Sequence, residues 1–291
     1  MAQTLSPAAQ RAFLTPIAFF RAINGSYQLD TIRQLTYQQQ LTADEWLQCL
    51  ELYQKHLGEE VQRNFTQANQ HKNQVTANAE SIAQLTKIAK SIPEITDIFL
   101  VNSYAMGALK PSSDIDLLVV THPRLLWLAR LKLTFALEKA GLRRKPGQVE
   151  DRFCLSFFVT SDALDMSRIA LEEDVYLAYW TAQVQSLFQV SATAWTQQNR
   201  WLTPLFPNRT TPSLPTASSN SLPFLPALSL LNHLVRLPMK TRSKAKARTL
   251  GTESSIVISD QMLKFHNFDR RQLYKDRTAQ ELAKLEKLMK Q

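Results

Sequence analysis

Glycine is scarce, with six residues in a chain of 291, against about 7% in an ordinary soluble protein. Neither GxGxxG nor GxxxxGK[ST] occurs, which excludes the glycine-rich phosphate loops of the Rossmann and P-loop kinds. Cysteine is nearly absent as well. Cys49 and Cys154 cannot build a disulfide framework, and no CxxC or Cys/His cluster offers a zinc site. The longest apolar runs are interrupted by Asn102, Pro223, Pro226 and His233. None reaches the ~18–20 residues that a membrane helix requires, so no membrane partner is expected. The N-terminus lacks a basic region followed by a long apolar core, and a reducing, cytoplasmic setting is the expectation. Acid is missing from a long stretch: after Asp174 the next carboxylate is Glu253. Within that gap lie Arg200, Arg209, Arg236, Lys240, Arg242, Lys244, Lys246 and Arg248, so the formal net charge of +9 resides almost wholly there. Such a segment invites an anionic partner.

What is present is enough apolar material, 44% of residues, to bury a sizeable core. The chain divides into a helical N-terminal flank over 1–80, a core over 81–165 and a mainly helical C-terminal region over 166–291. The last of these contains a basic, Pro/Ser-containing linker near 208–252. In the first part, Thr42 to Glu45 forms a capping box that opens a helix with Trp46, Leu50, Tyr53 and Leu57 on one face. The Gln/Asn-rich stretch from Asn64 to Asn78 has little periodicity and reads as an exposed helix or a linker. Ile82, Leu85, Ile88 and Ile92 form a helical stripe that stops at Pro93. Ile95–Val101 and Phe153–Val159 read as strands, and Ile115–Thr121 as a buried central strand. A helix from Pro123 to Gly141 lies between the last two. Near the C-terminus, Thr278 to Glu281 reads as a second capping box. The expected fold class is therefore α+β, a mixed β-sheet core with helices packed on it and helical flanks at both ends.

The informative segment is Ile98 to Val120, IFLVNSYAMGALKPSSDIDLLVV. It runs from a strand through a loop to Ser-Asp-Ile-Asp-Leu at the start of the next strand. Residues i and i+2 of a strand share a side, so Asp114 and Asp116 project together. Two carboxylates at the edge of an apolar sheet repel each other and call for a cation. A divalent ion with a taste for hard oxygen ligands suits them. This segment resembles the core motif of the DNA polymerase β-like nucleotidyltransferase superfamily, particularly its small bacterial members, over roughly Ile82 to Thr160. Ser103 matches the motif serine, Gly107 the second glycine, and Ser113, Asp114 and Asp116 the acidic end.

The resemblance implies a nucleotidyltransferase-type sheet and an enzyme that moves a nucleoside monophosphate from an NTP to a hydroxyl acceptor. Ser103, Gly107 and Ser113 would then serve the nucleotide phosphates. Asp114 and Asp116 would be both catalytic residues and ligands of two Mg²⁺ (or Mn²⁺) ions as pyrophosphate leaves. The sequence departs from the pattern twice. Asn102 stands where the family has a glycine. Ser156 stands where a third carboxylate is expected, with Glu150 or Asp151 as the alternative source of one. These departures motivate a second reading, a catalytically weakened nucleotide-sensing module. A third is an RNA- or DNA-binding protein acting through the basic 236–248 segment, whose alternating cations share a face if extended and spread around the axis if helical. Further candidates are Lys110 and the Arg143-Arg144-Lys145 loop for phosphate or acceptor, and His122 beside the acidic strand. His266 with Asp269, Arg270 and Arg271 forms another possible cluster, and Tyr176, Tyr179 and Trp180 offer a wall for a nucleotide cleft.

Overall fold

The computed structural model describes residues 5–210, 225–249, 255–266 and 268–289. Helix α1 (Pro7–Ala22) starts at Ser6, whose Oγ accepts from the Ala9 amide at 3.1 Å, with proline in the first turn where its missing N–H costs nothing. Phe13, Leu14, Ile17, Ala18 and Phe19 of this helix are wholly buried. After α2 (Leu29–Gln34), α3 (Ala43–His56) opens on the capping box expected at Thr42 and Glu45. Trp46, Cys49 and Tyr53 form its buried stripe. The polar stretch that read as helix or linker belongs to α4 (Gly58–Ala77), of which only Glu60 is buried. Helix α5 (Ala79–Lys90) ends shortly before Pro93.

Strands β1 (Ile95–Leu100) and β2 (Ile115–Thr121) pair antiparallel, and α6 (Leu126–Lys139) leads to β3 (Phe153–Thr160), which lies parallel to β2. Helix α7 (Val175–Gln183), the short β4 (Gln185–Ser186) and α8 (Ala192–Gln198) follow. Beyond them come α9 (Leu225–Arg248), β5 (Val257–Ile258), β6 (Met262–Lys264) and α10 (Arg271–Leu288). The sheet has six strands in the order β4-β1-β2-β3-β6-β5. It is the expected mixed sheet, and the C-terminal region supplies three of its strands.

Side-chain alternation gives the sheet two faces. Phe99, Leu118, Val120, Phe157 and Val159 face a core shared with α1, α3, α7 and α10, while Ile98, Leu100, Ile115, Leu117 and Phe158 face α5 and α6. Both chain ends close the first face. Arg21 of α1 meets Glu281 of α10 at 2.7 Å, and Arg11 meets Glu286 at 3.0 Å.

Two local readings change. Thr278 does not cap a helix: α10 already runs from Arg271, and the buried Thr278 hydroxyl donates to the Tyr274 carbonyl at 2.7 Å. A threonine that bonds one turn back inside a helix has the same sequence signature as a cap. Residues 225–248, read as part of the basic linker, form α9, whereas the Pro/Ser/Thr-rich 211–224 lies outside the described residues. Being helical, the alternating cations do not share one face. Arg236 and Lys240 pair with Asp260 at 2.8 and 3.1 Å. No described helix is long and apolar enough to cross a membrane.

Candidate active site

The loop between β1 and β2 begins with Asn102 in the left-handed region at φ 52°, and Gly107 repeats that conformation at φ 67°. Asparagine is one of the few residues that tolerate it, so the turn survives the loss of a glycine. Its side chain gains a task. Asn102 Nδ2 donates to Asp116 Oδ2 at 2.8 Å, and Asn102 Oδ1 accepts from Trp180 Nε1 at 2.7 Å. Trp180 in turn stacks on Phe157 with ring centres 5.8 Å apart. One amide thus ties the acidic strand to α7.

Asp114 directly precedes β2 and Asp116 is its second residue. Ligand atoms of Asp114, Asp116 and Cys154 all lie within 4.8 Å of one another. Arg144 Nη1 donates to Asp114 Oδ2 at 2.8 Å. Burial, then the neighbouring Asp114 charge, push the Asp116 carboxyl up to about 6, against the relief given by Asn102, Cys154 and Arg144. Cys154 joins the two aspartates in this cluster, and Ser156 lines the same cleft. Asp116 is opposite Cys154, but Leu118 is opposite Phe157, so β3 carries one extra residue in between. Such a bulge shifts which side chains face the site and defeats simple alternation. Burial and the Asp116 charge push the Cys154 thiol up to about 12, so it remains neutral, a poor ligand for a hard cation. The two carboxylates alone fit one magnesium-type ion completed by substrate phosphates. Glu150 and Asp151 do not join them. They line a separate surface hollow, and Gln74 Nε2 donates to Asp151 Oδ1 at 3.0 Å.

A cleft of about 680 Å³ opens over these residues. Its near wall contains Asn102, Ser103, Lys110, Ser113, Asp116 and Arg144. Gly107 shapes the loop without lining the cleft, and Asp114 lies beside it. Tyr176, Leu177 and Trp180 of α7 form one side, whereas Tyr179 is buried in the core and stacks on Phe19. The far wall comes from the C-terminal segment: Lys264, His266, Asp269, Arg270, Arg271 and Tyr274. Arg271 is fixed by Asp269 at 2.5 Å and Asp174 at 2.9 Å. Burial, helped by the Arg271 charge, lowers the Lys264 ammonium to about 8. Nothing in the local sequence around Lys264 or Cys154 marked them; both enter through strand pairing.

The remaining candidates fall elsewhere. His122 follows the opposite end of β2, its amide bonded to the Glu94 carbonyl at 3.0 Å. Arg143 and Lys145 pair with Glu138, so Arg144 is the member of the basic loop that meets the acids.

His266 carries a consequence for acid stability. Burial, with help from Lys264 and Arg271 against the opposing Asp269, lowers its imidazole to about 4. The folded protein therefore holds it neutral while the unfolded chain protonates near pH 6.5. Stability should fall as pH drops from 6.5 towards 4, by about 1–2 kcal/mol from this group. Urea unfolding at pH 7 and near pH 4.5 should show a smaller acid loss in His266→Gln than in the native protein. Equal losses in both would remove His266 from the account.

Comparison with known families matches the chain to the model described as a nucleotidyltransferase domain over residues 82–149. This range contains β1, the loop, β2 with both aspartates, and α6. No curated protein and no solved structure matches the chain significantly.

Proposed function

We propose that this chain, which carries a nucleotidyltransferase domain of the polymerase β-like superfamily over residues 82–149, transfers a nucleoside monophosphate from an NTP to a hydroxyl acceptor. The observation that supports the reading best is the convergence of Asp114 and Asp116 with the Ser103 loop on one cleft. In it, Lys110, Arg144, Lys264, Arg270 and Arg271 supply positive charge around the acids. Asp114 and Asp116 would hold a divalent ion, Mg²⁺ or Mn²⁺. When bound, that ion would supply charge stabilisation to the reacting phosphates.

The chain's own groups do the rest. The loop from Asn102 to Ser113 positions the triphosphate, and the cationic wall offsets the charge of the departing pyrophosphate. Asn102 holds Asp116 Oδ2 and so orients the carboxylate that would hold the ion. The acceptor oxygen forms its bond to the α-phosphorus as the bond to the β-phosphate bridging oxygen breaks, and pyrophosphate carries the electron pair away. The acceptor proton passes to water.

The neutral thiol of Cys154 where a third carboxylate would sit supports the competing reading, a module that binds nucleotide without turnover. The test is to incubate the protein with α-labelled NTPs, Mg²⁺ or Mn²⁺ and a panel of hydroxyl compounds or cell extract. Label incorporation matched by pyrophosphate release is the expected result. NTP binding with no pyrophosphate release under any of these conditions would reject transfer in favour of sensing.

A further inference from the structure

A second hollow, of about 560 Å³, lies between α6, β3 and α9. It meets the main cleft directly, since Arg144, Cys154, Ser156 and Phe265 line both. Among the described residues its charged lining consists of Arg130, Arg143, Arg144 and Arg242, with no aspartate or glutamate. Arg143 and Arg144 are paired with Glu138 and Asp114. Arg130 has no carboxylate among the described residues. Its guanidinium carbon sits 4.3 Å from the Phe265 ring centre and 5.2 Å from that of Phe158. Its Nη1 is buried with no hydrogen-bond partner. Arg242 reaches the same hollow from α9, also without an acidic partner among the described residues.

Aromatic faces attract a guanidinium, but they leave its N–H directions unfilled. A buried donor on a charged group is costly when unmet. Burial and the nearby Arg143 charge lower the Arg130 guanidinium to about 10, and no carboxylate among the described residues of the hollow offsets them. Forked guanidinium donors match a phosphate group in shape and charge.

We propose that this hollow is the acceptor subsite and that it takes the phosphate of a small phosphomonoester. The hydroxyl of that compound would extend past Arg144 and Cys154 to Asp116. The proposal rests on the transferase reading given above, and the hollow's size and its walls of helix and strand favour a small molecule over a polymer.

Calorimetric titration of the full chain with inorganic phosphate and with glycerol phosphate tests it. Both should bind, and Arg130→Met and Arg242→Gln should each weaken binding by about tenfold or more. Arg242 is exposed on α9, so its variant keeps the test sharp if Arg130→Met folds poorly. Undiminished phosphate binding in Arg242→Gln, or none in the native protein, would overturn the proposal. So would a loss confined to oligonucleotide binding. Phosphate held by these arginines in a protein that never releases pyrophosphate would strike only the reading on which the proposal rests.

Discussion

Asp116→Asn is expected to lower nucleotidyl transfer by about a hundred- to a thousandfold and, in the same protein, to raise stability. Both effects have one origin. Asp116 is half-buried beside Asp114, and its carboxyl titrates near 6 instead of 3.8. A raised carboxyl pKa means that the folded state penalises the ionised form. The penalty is absent below about pH 4, where the group is neutral in both states, and is fully present above pH 6. The full two-unit shift corresponds to about 3 kcal/mol, and partial exposure reduces the expected gain to about 1–2 kcal/mol. Asparagine removes the charge but keeps the shape. Its oxygen can still accept from Asn102 Nδ2, so no hydrogen bond that now spans 2.8 Å need be lost.

The measurement is urea unfolding of both proteins in EDTA at pH 7.5 and near pH 4, beside the transfer assay. An inactive variant that is more stable at pH 7.5, with the difference fading towards pH 4, would identify Asp116 as a residue kept for chemistry against its folding cost. An inactive variant that is less stable would mean that Asp116 serves the fold instead. Retained transfer would remove it from the mechanism.

The parts of the molecule that were legible in the sequence are those written in contiguous residues. Strands β1 to β3 announce themselves as apolar runs, α3 by its capping box, and the loop by Ser103, Gly107 and the aspartate pair. Cys154 was hidden because a single inserted residue in β3 reverses the facing beyond it, and hydrophobic runs do not reveal bulges. The far wall was hidden for a different reason. Lys264 and His266 reach the cleft because β6 pairs with β3, from Phe157 opposite Lys264 to Val159 opposite Met262. A three-residue strand carries almost no periodic signal of its own. Asn102 was visible as a departure from the family pattern, yet its benefit, the bridge between Asp116 and Trp180, depends on residues 14 and 78 positions away.

Gly107→Ala should destabilise the protein by about 3 kcal/mol, from roughly equal costs of left-handed backbone and of overpacking. Gly107 and Gly141 offer a matched pair, with φ of 67° and 69°. A methyl group on Gly141 would meet nothing within 4 Å, whereas one on Gly107 would overlap the Ser26 carbonyl oxygen and lie 2.8 Å from Ser26 Oγ. The approach is close because the Ser26 amide and hydroxyl both donate to the Gly107 carbonyl, at 2.9 and 3.1 Å. The N-terminal segment therefore buttresses the loop that carries Ser103. Gly141→Ala, which meets only the backbone strain, should cost about 1 kcal/mol. Denaturant midpoints of the two variants separate the terms, since strain is common to both and the contact with Ser26 is not. The extra loss in Gly107→Ala should be accompanied by weaker NTP binding, because relieving the overlap must move either the turn at Ser26 or the loop itself. Equal losses in the two variants would show that the loop does not depend on the N-terminal flank for its position.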